Sequence, residues 1–126
     1  AVSAVTRLID MGVEPFLLSS SLLGVAAQRL VRKLCPQCRQ PDPITRGWRA
    51  VGCLSCNRTG YQGRTGVFEL LTVDDALRGL IHRGASEADM RAAAVANGMQ
   101  SMRDDGQRWV QAGVTSLDEV IRVTRD

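Results

Sequence analysis

All four cysteines of this chain fall in two pairs, Cys35-Pro36-Gln37-Cys38 and Cys53-Leu54-Ser55-Cys56, separated by 14 residues. Each C-x-x-C sets two sulfurs on one tight turn, and two such turns facing each other make a tetrahedral S₄ site. Zn²⁺ suits that site because it binds thiolate strongly and has no d-electron preference for geometry. The spacing falls one residue short of the common ribbon pattern. Two disulfides, or four unrelated core thiols, are the alternatives. Cys35, Cys38, Cys53 and Cys56 are read as ligands of a structural zinc ion. Four protein ligands leave no open position for water, so such a metal holds a fold together and does no chemistry.

The usual catalytic constellations are absent from the rest of the chain. No G-x-x-x-x-G-K-[ST] segment exists to cradle a nucleoside triphosphate. Gly60-Tyr61-Gln62-Gly63-Arg64-Thr65-Gly66 imitates one, but it has no Lys and no helix follows it. The single histidine, His82, stands beside Arg83 at an expected helix end, where a cation suits the helix dipole. The acid pairs Asp74/Asp75, Asp104/Asp105 and Asp118/Glu119 fall at expected helix starts, where capping accounts for them. No catalytic or cofactor-binding residue is assigned, and the chain on its own reads as non-catalytic.

A length of 126 residues allows one small domain or two very small ones. Aromatics make up only 4%, so the core must be built from Leu, Val, Ile and Ala. No apolar run is long enough to span a membrane, and Arg7, Asp10 and Glu14 interrupt the one stretch that could serve as a leader. Paired C-x-x-C without a leader points to a reducing compartment, the cytoplasm. Because the chain opens on Ala1-Val2 inside an expected helix, it is read as a piece of something longer. Charge is uneven. Residues 28–64 hold eight basic side chains (Arg29, Arg32, Lys33, Arg39, Arg46, Arg49, Arg58, Arg64) against Asp42 alone. That island could meet nucleic acid, acidic lipid headgroups or an acidic protein face, or be a solvated surface.

The elements that must position these residues follow from periodicity. Val2, Val5, Leu8 and Ile9 predict a helix closed by Gly12. Val13–Leu18 contains Pro15 and reads as extended. Ser19, Ser20 or Ser21 would then cap a helix carrying Leu22, Leu23, Val25 and Ala26. Gln28–Leu34 fits either a continuation of that helix or a strand. Residues 39–52 read as a loop, with Trp48–Val51 a short strand, and Gly60, Gly63 and Gly66 as tight turns. Val67–Leu71 reads as a buried strand. Caps at Asp74 or Asp75, Ser86 and Ser116 predict helices that end at Gly84, at Asn97-Gly98 and near the C-terminus. Between the last two, a helix anchored by Met102, Trp109 and Val110 spans roughly Ser101 to Ala112 and stops at Gly113. Together they suggest a small helical bundle over residues 72–126.

Several segments resemble the type II secretion and type IV pilus assembly ATPases. They are Ala4–Leu8, Asp10–Leu17, Ser20–Val25, Ala27–Cys35, Gly52–Cys56, Gly60–Leu70 and Gly113–Val120. The resemblance implies an α+β fold: residues 1–34 as the end of a RecA-like ATPase core, 35–64 as an inserted four-cysteine zinc module, 65–71 as a returning core strand, and 72–126 as the helical domain. It implies that Gln28–Leu34 and Thr65–Leu71 are neighbouring edge strands, and it maps the four cysteines onto the family's zinc ligands. It also implies a parent that uses ATP and Mg²⁺ through motifs upstream of this chain. That parent would form a hexameric ring and work with an inner-membrane platform and other cytoplasmic-membrane secretion components, peripheral on the inner membrane. The family often has a longer stretch between the cysteine pairs than the 14 residues here. From another class, a zinc-ribbon nucleic-acid binder would use the same basic island with Trp48 and Tyr61 as stacking rings, but its aromatics are few and no nucleic acid is expected. A dithiol redox protein is the third reading.

Overall fold

A computed structural model describes residues 1–125. The elements are α1 (Val2–Asp10), α2 (Pro15–Ser21), β1 (Gly24–Leu34), β2 (Gln40–Pro41), β3 (Trp48–Arg49), a 3₁₀ turn (Leu54–Cys56), β4 (Tyr61–Thr72), α3 (Asp75–His82), α4 (Glu87–Ala96), α5 (Met102–Gln111) and α6 (Leu117–Thr124). β1 and β4 are hydrogen-bonded neighbours in one two-stranded sheet, and β2 and β3 form a second. The fold class is mixed helix and sheet.

Contacts group the described chain into two units, residues 1–27 with 69–100 and residues 28–68 with 101–125. This cuts across the 72–126 bundle expected from the caps: α3 and α4 belong to the first unit, α5 and α6 to the second. α3, α4 and α6 are capped as expected and Ser101 caps α5, but the apolar faces of these helices are buried in different cores. In the first unit, Val2 and Val5 of α1, Leu18 of α2, Leu71 and Val73, Leu77 and Ile81 of α3, and Met90 and Ala94 of α4 close one cluster. In the second, Val31 of β1, Val67 of β4, Val110 of α5 and Val120 of α6 close another, flanked by Met102, Trp109, Leu117 and Val123.

Two expectations near the N-terminus fail for one reason. Pro15 opens α2 at its first position, where the fixed φ of proline suits a helix and its missing N–H goes unneeded. The serines therefore end a helix instead of starting one. Ser19 and Ser20 donate back to the Phe16 carbonyl at 2.9 and 3.0 Å, and Ser21 donates to Leu17. Leu22 and Leu23 then lead into β1, which takes in Val25 and Ala26, and Gln28–Leu34 is strand throughout.

β4 is longer than expected and takes in Gly63 and Gly66, which are strand residues and not turns. Its apolar run alternates: Val67 and Leu71 are buried while Phe68 and Leu70 are exposed. The expected loop at 39–52 contains a hairpin in which Gln40 pairs with Arg49 and Pro41 with Trp48, antiparallel. Among the described residues, no helix is long and apolar enough to cross a membrane.

Candidate metal centre

β1 delivers the chain directly into the first cysteine turn, which closes with the Arg39 N–H donating to the Cys35 carbonyl at 3.1 Å. The Cys35 N–H donates to the Gly60 carbonyl at 2.9 Å, tying this turn to the end of the second. The second turn is the 3₁₀ segment Leu54–Cys56 capped by Cys53. It unwinds through Asn57 and Arg58, both with positive φ, and the Arg58 N–H reaches the Cys53 carbonyl at 2.7 Å. The chain then enters β4.

The two turns bring all four sulfurs together, each within 4.8 Å of every other. Cys35 Sγ lies 3.8 Å from Cys53 Sγ, Cys38 Sγ 3.9 Å from Cys56 Sγ, and Cys53 Sγ 3.8 Å from Cys56 Sγ. A disulfide needs about 2.05 Å, whereas the edge of a tetrahedron with zinc–sulfur arms of about 2.3 Å is about 3.8 Å. The donor set and its spacing fit zinc and do not fit two disulfides. All four cysteines are free thiols, with Cys35 and Cys56 buried and Cys38 and Cys53 half-buried.

Backbone N–H groups converge on the sulfurs. Gly52 donates to Cys38 Sγ at 3.3 Å, and Cys53 and Gly60 donate to Cys56 Sγ at 3.3 and 3.1 Å. Burial pushes the Cys38 thiol up to about 11, and the single N–H from Gly52 does not offset it. At Cys56 burial acts in the same direction, but the N–H donors from Cys53 and Gly60 outweigh it and bring the thiol down to about 6. Such donors favour thiolate, the form that binds metal.

Around the thiols the aromatic rings are engaged within the fold. The Arg39 guanidinium stacks over Trp48 at 4.2 Å and donates to the Gly113 carbonyl, where α5 ends. The Arg32 guanidinium stacks over Tyr61 at 4.1 Å, and the Tyr61 hydroxyl bonds Ser116 at 2.7 Å. One face of each proposed base-stacking ring is thus covered by arginine.

The structure gives Glu119 a role beyond the capping expected of it. Glu119, 1% exposed, accepts from Arg32 and from Arg122 through both guanidiniums, and from the Arg32 backbone at 2.8 Å. Burial pushes its carboxyl up, but the hydrogen bonds from Arg122 and Arg32 outweigh this and hold it at about 2.

Other sites read from the sequence lie elsewhere. His82 is exposed in the last turn of α3, edge-on to Phe16 with ring centroids 6.0 Å apart. Asp74 caps α3 by accepting from the Leu77 N–H at 2.8 Å. The glycine-rich decoy is extended strand from Tyr61 onward, a geometry with no phosphate cradle.

A family model described as Type II/IV secretion system protein matches residues 1–122. The Type II secretion system protein HxcR of Pseudomonas aeruginosa is 64% identical over 126 residues, covering 100% of this chain and 26% of that protein. The Type II secretion system ATPase E of Vibrio cholerae is 53% identical, covering 100% of this chain and 28% of that protein. Its alignment extends to 142 positions against 126 residues here, so that relative carries residues this chain lacks. The Type IV pilus assembly ATPase PilB of Thermus thermophilus is 40% identical, covering 98% of this chain and 16% of that protein. Among solved structures, the pilus retraction motor PilT with bound ADP shares the fold, with a TM-score of 0.65 and 20% identity over 100% of this chain and 30% of that one. The chain spans about a quarter of the length of its Pseudomonas and Vibrio relatives.

Proposed function

Since the chain belongs to the Type II/IV secretion system protein family, we propose that it is the C-terminal portion of a cytoplasmic ATPase that powers pseudopilus assembly and protein export by type II secretion. The observation that carries this reading is 53% identity along the whole chain to a protein named as a type II secretion ATPase. The parent would bind ATP and Mg²⁺ at motifs upstream and assemble as a hexameric ring, held at the inner membrane through partner proteins. This portion contributes frame. Cys35, Cys38, Cys53 and Cys56 hold a zinc ion, which when bound supplies folding energy and leaves no position for a reacting water.

ATP hydrolysis is the first test. The full-length parent should turn over ATP and the 126-residue chain should not; turnover by the chain alone would end the reading of an inactive frame. A parent lacking a P-loop would end the ATPase reading itself.

The basic island would meet a neighbouring subunit or the membrane platform. Arg39 is unsuited to testing this, because it packs on Trp48 and bonds Gly113. Arg46 and Arg49 are exposed, and replacing both by Glu should weaken ring assembly or platform binding. Unchanged binding of both kinds would remove that role from the island.

A further inference from the structure

Beside the first cysteine turn lies a cavity of about 350 Å³ lined by Lys33, Leu34, Pro36, Arg39, Gln62 and Val114. It exceeds the lower end of small-ligand pockets, about 300 Å³. We propose that this cavity receives the carboxylate side chain of an acidic peptide segment on a partner protein. The proposal deepens the partner-contact reading above, and rests on it for the partner but not for the pocket.

The lining carries two cations and no carboxylate. Among the described residues, Lys33 makes no ion pair, and its stem lies over Gly63 with Cδ 3.7 Å from where a Cβ would stand. Arg39 is fixed from two sides, by the Trp48 ring and the Gly113 carbonyl, and a guanidinium has five N–H donors to share. Gln62 is held by its amide N–H on the Ser55 carbonyl at 2.6 Å. A rigid fork beside a mobile point charge is the usual pair for a carboxylate. Leu34, Pro36 and Val114 offer apolar wall to the aliphatic stem of Glu or Asp.

Phosphate fits less well. Phosphate sites draw on convergent free backbone N–H groups. Here the Leu34 N–H already bonds the Val114 carbonyl at 2.7 Å, and the Arg39 N–H bonds Cys35.

The test uses the zinc-loaded full-length parent and a fluorescein-labelled peptide of consecutive glutamates, read by anisotropy. Lys33→Glu is compared with Arg64→Glu, the same change of charge at an exposed position of β4 outside the lining. Lys33→Glu should weaken binding roughly tenfold or more, and Arg64→Glu much less. Lys33→Gln, which keeps the stem and removes the charge, should fall between, and it serves as the deciding variant if Lys33→Glu loses its zinc. Equal losses in Lys33→Glu and Arg64→Glu would reduce the effect to diffuse attraction and overturn the pocket. Displacement of the peptide by inorganic phosphate, or Lys33-dependent capture of phosphatidylglycerol vesicles without peptide binding, would reassign the site to phosphate and overturn the proposal too. ATP turnover is read in parallel. Its loss in the wild type would sink the ATPase reading while leaving the peptide result standing.

Discussion

Glu119 sits where two guanidiniums and a backbone N–H converge on one buried carboxylate. Glu119→Gln keeps the shape but replaces charge-assisted hydrogen bonds with neutral ones to two arginines that stay half-exposed and hydrated. It should therefore destabilise the fold by about 1–2 kcal/mol in urea unfolding. The pH dependence follows from the same group. Its carboxyl is held at about 2 when folded against 4.5 in an ordinary environment. A lowered carboxyl contributes stability that is complete above about 4.5 and fades as pH falls toward 2. Unfolding curves across that window should slope less steeply in Glu119→Gln than in the wild type; parallel slopes would show that Glu119 carries none of the acid sensitivity. The cysteine turns were legible in the sequence because their spacing is local and their chemistry belongs to the residue type. Glu119 was not. Ser116-Leu117-Asp118-Glu119 reads as a capping box, and Ser116 does accept the Glu119 N–H at 3.1 Å. The Glu119 side chain instead goes to Arg32, 87 positions earlier, because two guanidiniums outweigh one backbone N–H.

At the scale of elements, the end of α5 meets the cysteine segment. Gly113 has a φ of +74°, and a Cβ there would lie 2.5 Å from the Arg39 guanidinium and 2.8 Å from the Trp48 ring nitrogen. Gly84 ends its own helix at a similar φ of +68° with nothing within 4 Å. The pair separates backbone strain from collision. Gly84→Ala should cost about 1 kcal/mol for the left-handed backbone alone. Gly113→Ala should cost more, about 2–3 kcal/mol, and blunt the near-ultraviolet signal of Trp48. Equal costs would mean that Arg39 and Trp48 move aside freely. Capping residues marked the starts of α3, α4 and α6, since each cap is satisfied within three residues, whereas α5 was marked by its apolar spacing and its Ser101 cap emerged only in the structure. Which core a helix joins is not a local property, and α3–α4 and α5–α6 part company for that reason. Pro15 misled for the opposite reason: proline signals both a break and a first helical position, and only the turn that follows decides.

For the molecule as a whole, the two units differ in how much apolar core supports them. The first buries nine hydrophobic residues in its cluster, the second four. A core of four valines is small for a fold that must also order a hairpin and two cysteine turns, so the second unit depends on another source of stability. Structural zinc in thiolate sites contributes about 10–16 kcal/mol of apparent binding energy, comparable to the whole stability of a typical domain. Chelating zinc from the full-length parent should therefore do more than loosen residues 35–56. Hydrogen exchange should accelerate through β2, β3 and the 3₁₀ turn, and also in α5 and α6, because Arg39 and Tyr61 tie the cysteine segment to Gly113 and Ser116. Protection in α1–α4, which share the larger core, should outlast it. Cys38→Ser with Cys53→Ser, one ligand removed from each turn, should reproduce that pattern without chelator. Loss confined to residues 35–56, with α5 and α6 still protected, would show that the thiols clasp only their own loop. Equal loss in α1–α4 would show that the larger core cannot hold by itself. ATP turnover should decline in step with exchange in α5 and α6; turnover that fails while those helices stay protected would give the cysteines a part in the reaction beyond holding the frame.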